Sequence, residues 1–550
     1  MCDKHSLAAG KYVNGFTVAL LLVLPNLVWI ALDKSLWKGD PCGYALGSVS
    51  LYYNMITDVS AWIRNSFGGY KAPMILWIGQ FFVALGSLIG SVNFSLLLIP
   101  LISTYITLVL LFKSVELLFK NKAIAFCACL IVAASSLFNS LSTGFWIEPM
   151  QIAITTWFIY ILIKVSNWSF YFALAQFITA LSLAMLIKAS SPLYIVGPSI
   201  AFWIIVFRGN PSMKINKKNL FLLLVSFLFF LPTAVFYVHN FHDLLGFAQY
   251  ASTNPLFGSN TSKSELWTQI ISNGVFQQLT FKLTTLLFIC GVIITISRKA
   301  YSNFEIMFWV SMFQITLFFV AWLSTVNSDP RYFEPVLPYL AILICWALTA
   351  INNRLLMMLT VSLFLIQFIR VNASAFGWAQ LSTSIVPMRP LKDKPERDRR
   401  IIHELLPLAT HDSSIVFDMN PELGLVEFQY ELSKQNLTGN WLRCCADISM
   451  FFHITRQQID TSKINIDTVW KNLLAYNPDY YVTWNSRLSN STAKVEMQRI
   501  DKYNALTVPA RWAIASKVKN SGQFEIIPFP SYPELLVYKR CNVHVKNVKP

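Results

Sequence analysis

Several charged side chains stand at the ends of long apolar segments, where a charge is costly unless it has a partner or a function. Acids and bases occur together in this position. Such a set can combine proton transfer by a carboxylate with the binding of an anionic group. The candidate residues are Asp33, Asp40, Tyr44, Lys71, Glu148, Lys188, Asp329 and Arg331.

Each candidate also has a purely structural interpretation. Asp40 and Glu148 both precede a proline. The first can therefore be a turn residue, and the second can stabilise the start of a helix through the helix dipole. Lys188 and Arg331 can extend to the membrane surface or pair with nearby acids. Taken one at a time, these residues favour the structural interpretation, and the functional one stays open.

The composition is that of a polytopic helical membrane protein. Of the 550 residues, 55% are hydrophobic and 13% are charged, against about 25% charged residues in soluble proteins. An ordinary soluble enzyme, a disordered chain and a disulfide-rich secreted domain are excluded. The net charge of +16 is explained by basic cytoplasmic loops, so we expect no nucleic-acid partner.

Apolar runs long enough to cross a bilayer predict eleven spans. Their limits are 14–32, 95–112, 123–143, 149–165, 169–187, 193–207, 219–238, 276–296, 304–324, 335–352 and 355–371. The run 74–90 is also apolar. If it does not cross and the N-terminus is cytoplasmic, the basic residues concentrate in the cytoplasmic loops, as the positive-inside rule requires. We therefore predict an interfacial or re-entrant helix at 74–90 and a long outer loop at 33–73.

An odd number of spans places the C-terminal part of the chain outside the cytoplasm. We predict a membrane domain at 1–372 and an extracytoplasmic α/β domain at 373–550. Four runs have the pattern of strands, and a helical stretch follows Arg399. The predicted strands lie at 413–419, 479–484, 524–529 and 533–539.

The nine cysteines show no metal-binding spacing. Outside the cytoplasm Cys541 can form a disulfide with Cys444 or Cys445, and the absence of a bridge is equally compatible with the sequence. One loose metal-like spacing occurs in a loop after a predicted span, with nothing to close the site. It consists of His239, His242 and Asp243.

Short motifs in and between the spans resemble those of membrane glycosyltransferases with the GT-C fold, and more closely glycosyltransferase family 39. That family includes protein O-mannosyltransferases and the transferase that adds aminoarabinose to lipid A. The motifs follow the family's order along the chain, although Asp-Pro stands where the family often has Asp-Glu, and Ala72 where it has proline. They are Asp40-Pro-Cys-Gly-Tyr44-Ala45, Tyr70-Lys71-Ala72-Pro73, Glu148-Pro149-Met150, Leu186-Ile187-Lys188-Ala189, Arg331-Tyr332 followed by PVLP at 335–338, and Asn477-Pro478-Asp479-Tyr480.

The resemblance implies a role for each candidate. Asp40 would be the general base that activates the acceptor, with Asp33 as the alternative and Tyr44 in support. Glu148 would position the acceptor or a divalent metal ion. The donor phosphate would be bound by Lys71, Arg331, Tyr332 and, more weakly, Lys188.

The expected activity is the inverting transfer of a sugar from a polyprenyl-phosphate donor to a lipid, protein or glycan acceptor at the outer membrane face. The sequence establishes no cofactor, and it is compatible with a divalent metal ion such as Mg²⁺ or Mn²⁺. We expect a bacterial inner-membrane protein with a cytoplasmic N-terminus and a periplasmic C-terminal domain. The alternatives are a flippase or transporter of a lipid-linked substrate, an enzyme that transfers a whole oligosaccharide or ligates a polymer, and a non-catalytic envelope assembly protein.

Overall fold

A computed structural model gives the fold of most of the chain. It describes residues 14–35, 37, 39–69, 71–208, 217–253, 278–297, 305–325, 329–378, 397–409, 413–418, 425–435, 445–452, 464–484, 502–529, 532 and 535–541.

Long apolar helices dominate the first 378 residues. The helices are Gly15–Leu32, Asp40–Thr57, Val59–Phe67, Met74–Ile89, Val92–Phe119, Lys122–Ala133, Ser136–Ser142, Glu148–Lys164, Phe170–Ile187, Ser191–Arg208, Lys217–Thr253, Gln278–Ser297, Glu305–Ser324, Leu337–Ile351 and Arg354–Ala375. Within the described ranges nine helical segments are long and apolar enough to span a membrane. The predicted class, a polytopic helical membrane protein with a small α/β domain, is confirmed.

Two of the predicted spans differ in detail from the structure. The run 123–143 is a pair of helices, Lys122–Ala133 and Ser136–Ser142, bent by 71° at the break, and it brings the count to ten if taken as one span. Ser135 begins the second helix, because its hydroxyl accepts a hydrogen bond from the Phe138 amide. The run predicted at 276–296 is helical over Gln278–Ser297, but this helix is not among the nine segments counted above.

The run predicted as an interfacial or re-entrant helix forms Met74–Ile89, a helix of 16 residues. At about 1.5 Å per residue it is shorter than a spanning helix. Gly90 ends it with a left-handed backbone, φ 76°, and Val92–Phe119 begins at once and packs back against it. The two helices form a hairpin.

The chain forms two compact units. The first, called the membrane unit, contains residues 1–33 and 54–391. The second, called the C-terminal unit, contains residues 34–53 and 392–550. The predicted domains are 1–372 and 373–550, so the segment 34–53 of the predicted first outer loop falls in a different unit from the one expected. Most of that segment is the helix Asp40–Thr57, and the loop then continues as the helix Val59–Phe67.

The second unit contains a five-stranded sheet. Its strands are β1 (Ile415–Phe417), β2 (Cys445–Asp447), β3 (Tyr480–Trp484), β4 (Phe524–Ile527) and β5 (Leu535–Arg540), in the order β2-β1-β3-β5-β4. The first three are parallel, and β5 is antiparallel to both β3 and β4. All four predicted strands are present, and β2 is additional. The helix expected after Arg399 begins at Arg397.

The helices of the second unit pack on this sheet or on one another. They are Arg397–Leu405, Leu425–Gln435, Ile466–Tyr476 and Lys502–Asn520. Val416 of β1 and Tyr481 of β3 form the core with Ile514 and Val518 of the last helix. Alternate residues of a strand point to one face, which is why these strand positions are apolar or aromatic.

An ion-pair cluster lies at the carboxyl ends of the parallel strands. Asp418 follows β1 and accepts hydrogen bonds from Tyr481, Thr483 and Arg511, and Arg511 Nη2 lies 3.5 Å from Asp447 Oδ1. Burial raises the pKa of the Asp418 carboxyl, and the Arg511 guanidinium opposes that rise. The cluster ties β1, β2 and β3 to the last helix.

The described cysteines form no disulfide with one another. Cys445 and Cys541 are both described and are not bonded to each other, whereas Cys444 lies outside the described residues. The alternative pairing of Cys541 with Cys444 therefore stays a prediction.

Candidate functional site

Glu148 and Lys188 form a salt bridge in the membrane unit. Lys188 Nζ lies 2.7 Å from Glu148 Oε1. Glu148 begins the helix Glu148–Lys164 with Pro149 after it, an arrangement that suits a helix start and places an anion at the positive end of the helix dipole. Lys188 caps the helix Phe170–Ile187 in an extended conformation, so its side chain leaves the helix direction and reaches Glu148.

Arg331 is fixed by an acid and an aromatic ring. Asp329 begins the 3-10 helix Pro330–Val336 and accepts a hydrogen bond from the Arg331 amide at 2.9 Å. Arg331 Nη2 lies 2.6 Å from the Asp329 carboxylate. The guanidinium carbon lies 4.4 Å from the centroid of the Trp146 ring, within the range of a cation–π contact.

Tyr332 brings the two cations together. Lys188 Nζ lies 4.5 Å from the centroid of the Tyr332 ring, and Arg331 is the preceding residue. The backbone here is held by a short relay, because the Tyr194 hydroxyl donates to the Tyr332 carbonyl at 2.8 Å and the Tyr339 hydroxyl donates to the Tyr194 carbonyl at 2.9 Å. Four predicted residues, Glu148, Lys188, Arg331 and Tyr332, thus meet around one turn.

A second buried acid belongs to this group. Glu334 is 0% exposed and lies within electrostatic reach of Glu148 and Lys188. Neither of its carboxyl oxygens has a hydrogen-bond partner among the described residues, and the same holds for Glu148 Oε2. Lys188 bonds directly to Glu148, so the carboxyl group of Glu334 is left without a hydrogen bond among the described residues, and a buried polar group in this state is expensive.

The accessible part of this cluster consists of two cations and one acid. The side chains of Lys188 and Arg331 are 21% and 19% exposed, whereas Glu148 is 1% exposed. Asp329 is 27% exposed beside Arg331. An anion that approaches this part of the cluster therefore meets an ammonium and a guanidinium, with the Asp329 carboxylate beside the guanidinium and with Glu148 and Glu334 buried. This arrangement suits the binding of a phosphate.

Lys71 lies at the same end of the membrane unit as Lys188. Its side chain is exposed. The next residue, Ala72, shares a small buried cluster with Leu186, which is two residues before Lys188, and with Phe236. Tyr70, which precedes it in the motif, lies outside the described residues.

The first-loop candidates fall into different compact units. Asp33 ends the helix Gly15–Leu32, where its amide donates to the Trp29 carbonyl, and it belongs to the first unit. Asp40 is the first residue of the helix Asp40–Thr57 in the second unit, and Tyr44 lies one turn further along. Asp40, Tyr44 and Asp33 are all half-buried.

The cluster is a poor fit for a divalent metal ion. In the part of the chain that the structure describes, no three His, Cys, Asp or Glu side chains converge on one point, and His239, His242 and Asp243 form no metal site. Glu148 and Glu334 offer carboxyl oxygens, but the Lys188 ammonium already occupies one of them and would repel a cation. Mg²⁺ also favours six oxygen ligands.

Comparison with solved structures identifies the fold. The chain aligns with the crystal structure of ArnT from Cupriavidus metallidurans bound to undecaprenyl phosphate, with a TM-score of 0.55, 10% identity, and coverage of 98% of this chain and 99% of that one. The apo state of the same protein gives a TM-score of 0.56, 12% identity, and coverage of 97% and 98%. The chain has the ArnT fold. The predicted resemblance to the GT-C fold is thereby confirmed.

A family match supports the same assignment over part of the chain. Residues 70–236 match the family described as dolichyl-phosphate-mannose-protein mannosyltransferase. This segment contains Lys71, Glu148 and Lys188, and it ends before Arg331. No curated protein sequence matches the chain significantly. At the low identity to ArnT, the structural likeness establishes the fold and leaves the activity to be argued from the residues.

Sequence reasoning missed three features of the site. In the sequence Glu334 is only a loop acid, although an acid next to an apolar run of the kind that forms Leu337–Ile351 is itself a signal. Trp146 and Tyr194 carry no signal, because aromatic residues are frequent in all the spans. Their roles depend on contacts between segments far apart in sequence.

Proposed function

We propose that this protein is an inverting glycosyltransferase that moves a sugar from a polyprenyl-phosphate donor to an acceptor at the outer face of the membrane. The pair of cations around the turn 330–336 carries the proposal. Lys188 and Arg331 are each held against an aromatic ring and remain partly exposed. The ArnT fold supports it, since one ArnT structure was determined with undecaprenyl phosphate bound.

In this proposal the two cations bind the donor phosphate. Arg331 offers a planar fork of donors and Lys188 a compact point charge. To do so they exchange part of their present contacts with Asp329 and Glu148 for phosphate oxygens. When the sugar leaves, negative charge grows on the phosphate, and the same two cations stabilise it. Glu148 holds Lys188 in place, and Lys71 is a further phosphate ligand.

The transfer itself is a single displacement. The acceptor hydroxyl or amine attacks the anomeric carbon, and the bond from that carbon to the phosphate oxygen breaks. The acceptor proton passes to a carboxylate, and the polyprenyl phosphate departs with the bonding electron pair. We assign the carboxylate to Asp40, with Asp33 as the alternative. One displacement inverts the configuration of the anomeric carbon.

The cellular setting follows from the same proposal. The donor lipid requires a membrane, and the many apolar helices make the chain an integral, multi-pass protein. We propose a bacterial inner membrane, a cytoplasmic N-terminus and a periplasmic site. The acceptor is a lipid, a protein or a glycan.

The test is the release of polyprenyl phosphate by the purified protein. The substrates are a panel of polyprenyl-phosphate sugars and a cell-envelope extract. We expect release by the wild type and none by Asp40→Asn. Asp33→Asn tests the alternative base, and Arg331→Lys should weaken donor binding. The matched control is Arg354→Lys, since Arg354 is an exposed arginine at a helix start.

Two outcomes would contradict the proposal. If the folded wild-type protein released polyprenyl phosphate from no donor, the transporter or assembly alternatives would be favoured. If both Asp40→Asn and Asp33→Asn retained full activity, the base would lie elsewhere in the chain.

A further inference from the structure

The segment 34–53 of the first loop is built into the C-terminal unit. It forms one compact unit with residues 392–550, although residues 54–391 intervene in the chain. Trp37, Cys42, Ala45 and Val49 are all buried, with at most 3% of each exposed. A loop that only connected two membrane helices would have no need to bury these side chains.

One helix of the C-terminal unit, Leu425–Gln435, makes three contacts with this segment. The Gly39 amide donates a hydrogen bond to Glu427 Oε1 at 3.0 Å. The ring of Trp37 stacks on Tyr430, with centroids 5.6 Å apart and 17° between the planes. Cys42 Sγ lies 3.6 Å from the carbonyl oxygen of Val426. Polar and aromatic contacts thus flank position 40 on both sides.

A second set of contacts holds the start of the segment. Arg399 donates to the Lys34 carbonyl at 2.8 Å and lies beside Glu431, which is 2% exposed. Lys434 and His403 approach the same carboxylate. Glu431 therefore collects three basic side chains, one of which is bonded to the loop backbone.

The backbone at Gly39 is specialised for this arrangement. Its φ of 64° lies in the left-handed region, which glycine adopts without the cost that a side chain brings. Asp40 follows at once as the first residue of the helix Asp40–Thr57. The bond from the Gly39 amide to Glu427 therefore fixes the backbone one residue before the proposed base.

We propose that the helix Leu425–Gln435 is a positioning element for the catalytic first loop, with Glu427 as its positioning residue. Glu427 acts through the Gly39 amide and sets the place of the Asp40 carboxylate. The inference rests on the proposed function in one respect, the role of Asp40 as base. It gives the C-terminal domain a part in catalysis other than binding the acceptor.

The kinetic test separates positioning from binding. Because a small displacement of a reacting group can cost up to about 100-fold in rate, we expect Glu427→Ala to lower kcat by one to two orders of magnitude and to leave the KM for the donor unchanged. Glu427→Gln keeps an oxygen acceptor and should retain most of the activity. Glu525→Ala, an exposed acid on β4, is the matched control and should behave as the wild type.

Gly39→Ala supplies a second variant that should still fold. A methyl group at this position would meet nothing within 4 Å, so only the backbone conformation is disturbed. We expect the same loss of kcat as in Glu427→Ala. Full kcat in both variants, or a raised KM with unchanged kcat, would overturn the inference.

Hydrogen exchange tests the contact without turnover. In Glu427→Ala the amides of peptides that span residues 39–45 should exchange faster than in the wild type, and in Glu525→Ala they should not. Unchanged exchange in Glu427→Ala would overturn the inference even if no donor were turned over. An inactive wild type with this exchange pattern would instead refute the proposed function alone.

Discussion

Glu334 and Glu148 are two buried acids in the same cluster with opposite local environments. Glu148 has a lysine at 2.7 Å and a helix start, whereas Glu334 has no hydrogen-bond partner for either oxygen in the described part of the chain. Burying an acid without partners costs free energy, and removing one member of a buried pair leaves a charge uncompensated. The two residues should therefore respond differently to the same substitution.

We expect Glu334→Leu to raise the free energy of unfolding by about 1–3 kcal/mol, because an unsatisfied acid is replaced by an apolar group. Glu148→Leu should lower it by about 3 kcal/mol, since Lys188 loses its partner. Thermal unfolding of both variants in one detergent measures the difference. If the two midpoints shifted in the same direction, the assigned environments would be wrong. A stabilised Glu334→Leu protein that had lost activity would mark Glu334 as functional.

The helical hairpin of Met74–Ile89 and Val92–Phe119 depends on one glycine. A Cβ atom on Gly86 would lie 2.6 Å from the Cα of Val92 and 2.7 Å from Ser95 Oγ. The first of these is a backbone atom and has no rotamer with which to move aside. The close approach of the two helices therefore requires glycine at position 86.

We expect Gly86→Ala to destabilise the protein by about 1–3 kcal/mol through overpacking. Gly246→Ala is the control, because a methyl group on this helical glycine would meet nothing within 4 Å, and alanine there should be neutral or stabilising by up to about 1 kcal/mol. The measurement is thermal unfolding of the two variants beside the wild type. An unaltered midpoint in Gly86→Ala would show that the hairpin can open without cost.

Elements with a strong local signal could be predicted from the sequence. The apolar spans and four of the five strands follow from runs of residues that lie next to one another. The break at Ser135 is hidden in the sequence because apolar residues continue on both sides of it, and β2 is only three residues long. In the site, Glu148, Lys188, Arg331 and Tyr332 could be named from motifs, whereas Glu334 and Trp146 matter through contacts that no local pattern encodes.

At the scale of the whole molecule, the compact units do not follow the order of the chain. The chain leaves the membrane unit after Asp33. Residues 34–53 belong to the C-terminal unit, and the chain returns to the membrane unit at Asn54. Composition separates a membrane region from a soluble one. It cannot show that a stretch of the first loop belongs with the soluble part, because that depends on pairing across hundreds of residues.

This organisation predicts that residues 392–550, produced alone, lack part of their own core. A peptide of residues 34–53 should bind them and raise their unfolding temperature. The same peptide with Trp37→Ala should bind at least about a hundredfold more weakly, because truncating a buried tryptophan costs about 3 kcal/mol or more. Calorimetric titration of both peptides measures this, and equal affinities would argue against the packing of Trp37 on Tyr430.

The bond between Gly39 and Glu427 joins residues that are 388 positions apart. During synthesis, the loop that carries Asp40 is therefore complete long before its partner helix has been translated. A chain that stalls or is cut before residue 427 would contain the complete cation cluster and an unanchored Asp40. If the cluster binds the donor phosphate as proposed, such a chain would hold a lipid phosphate before it could use it, and activity would begin only when translation is nearly complete.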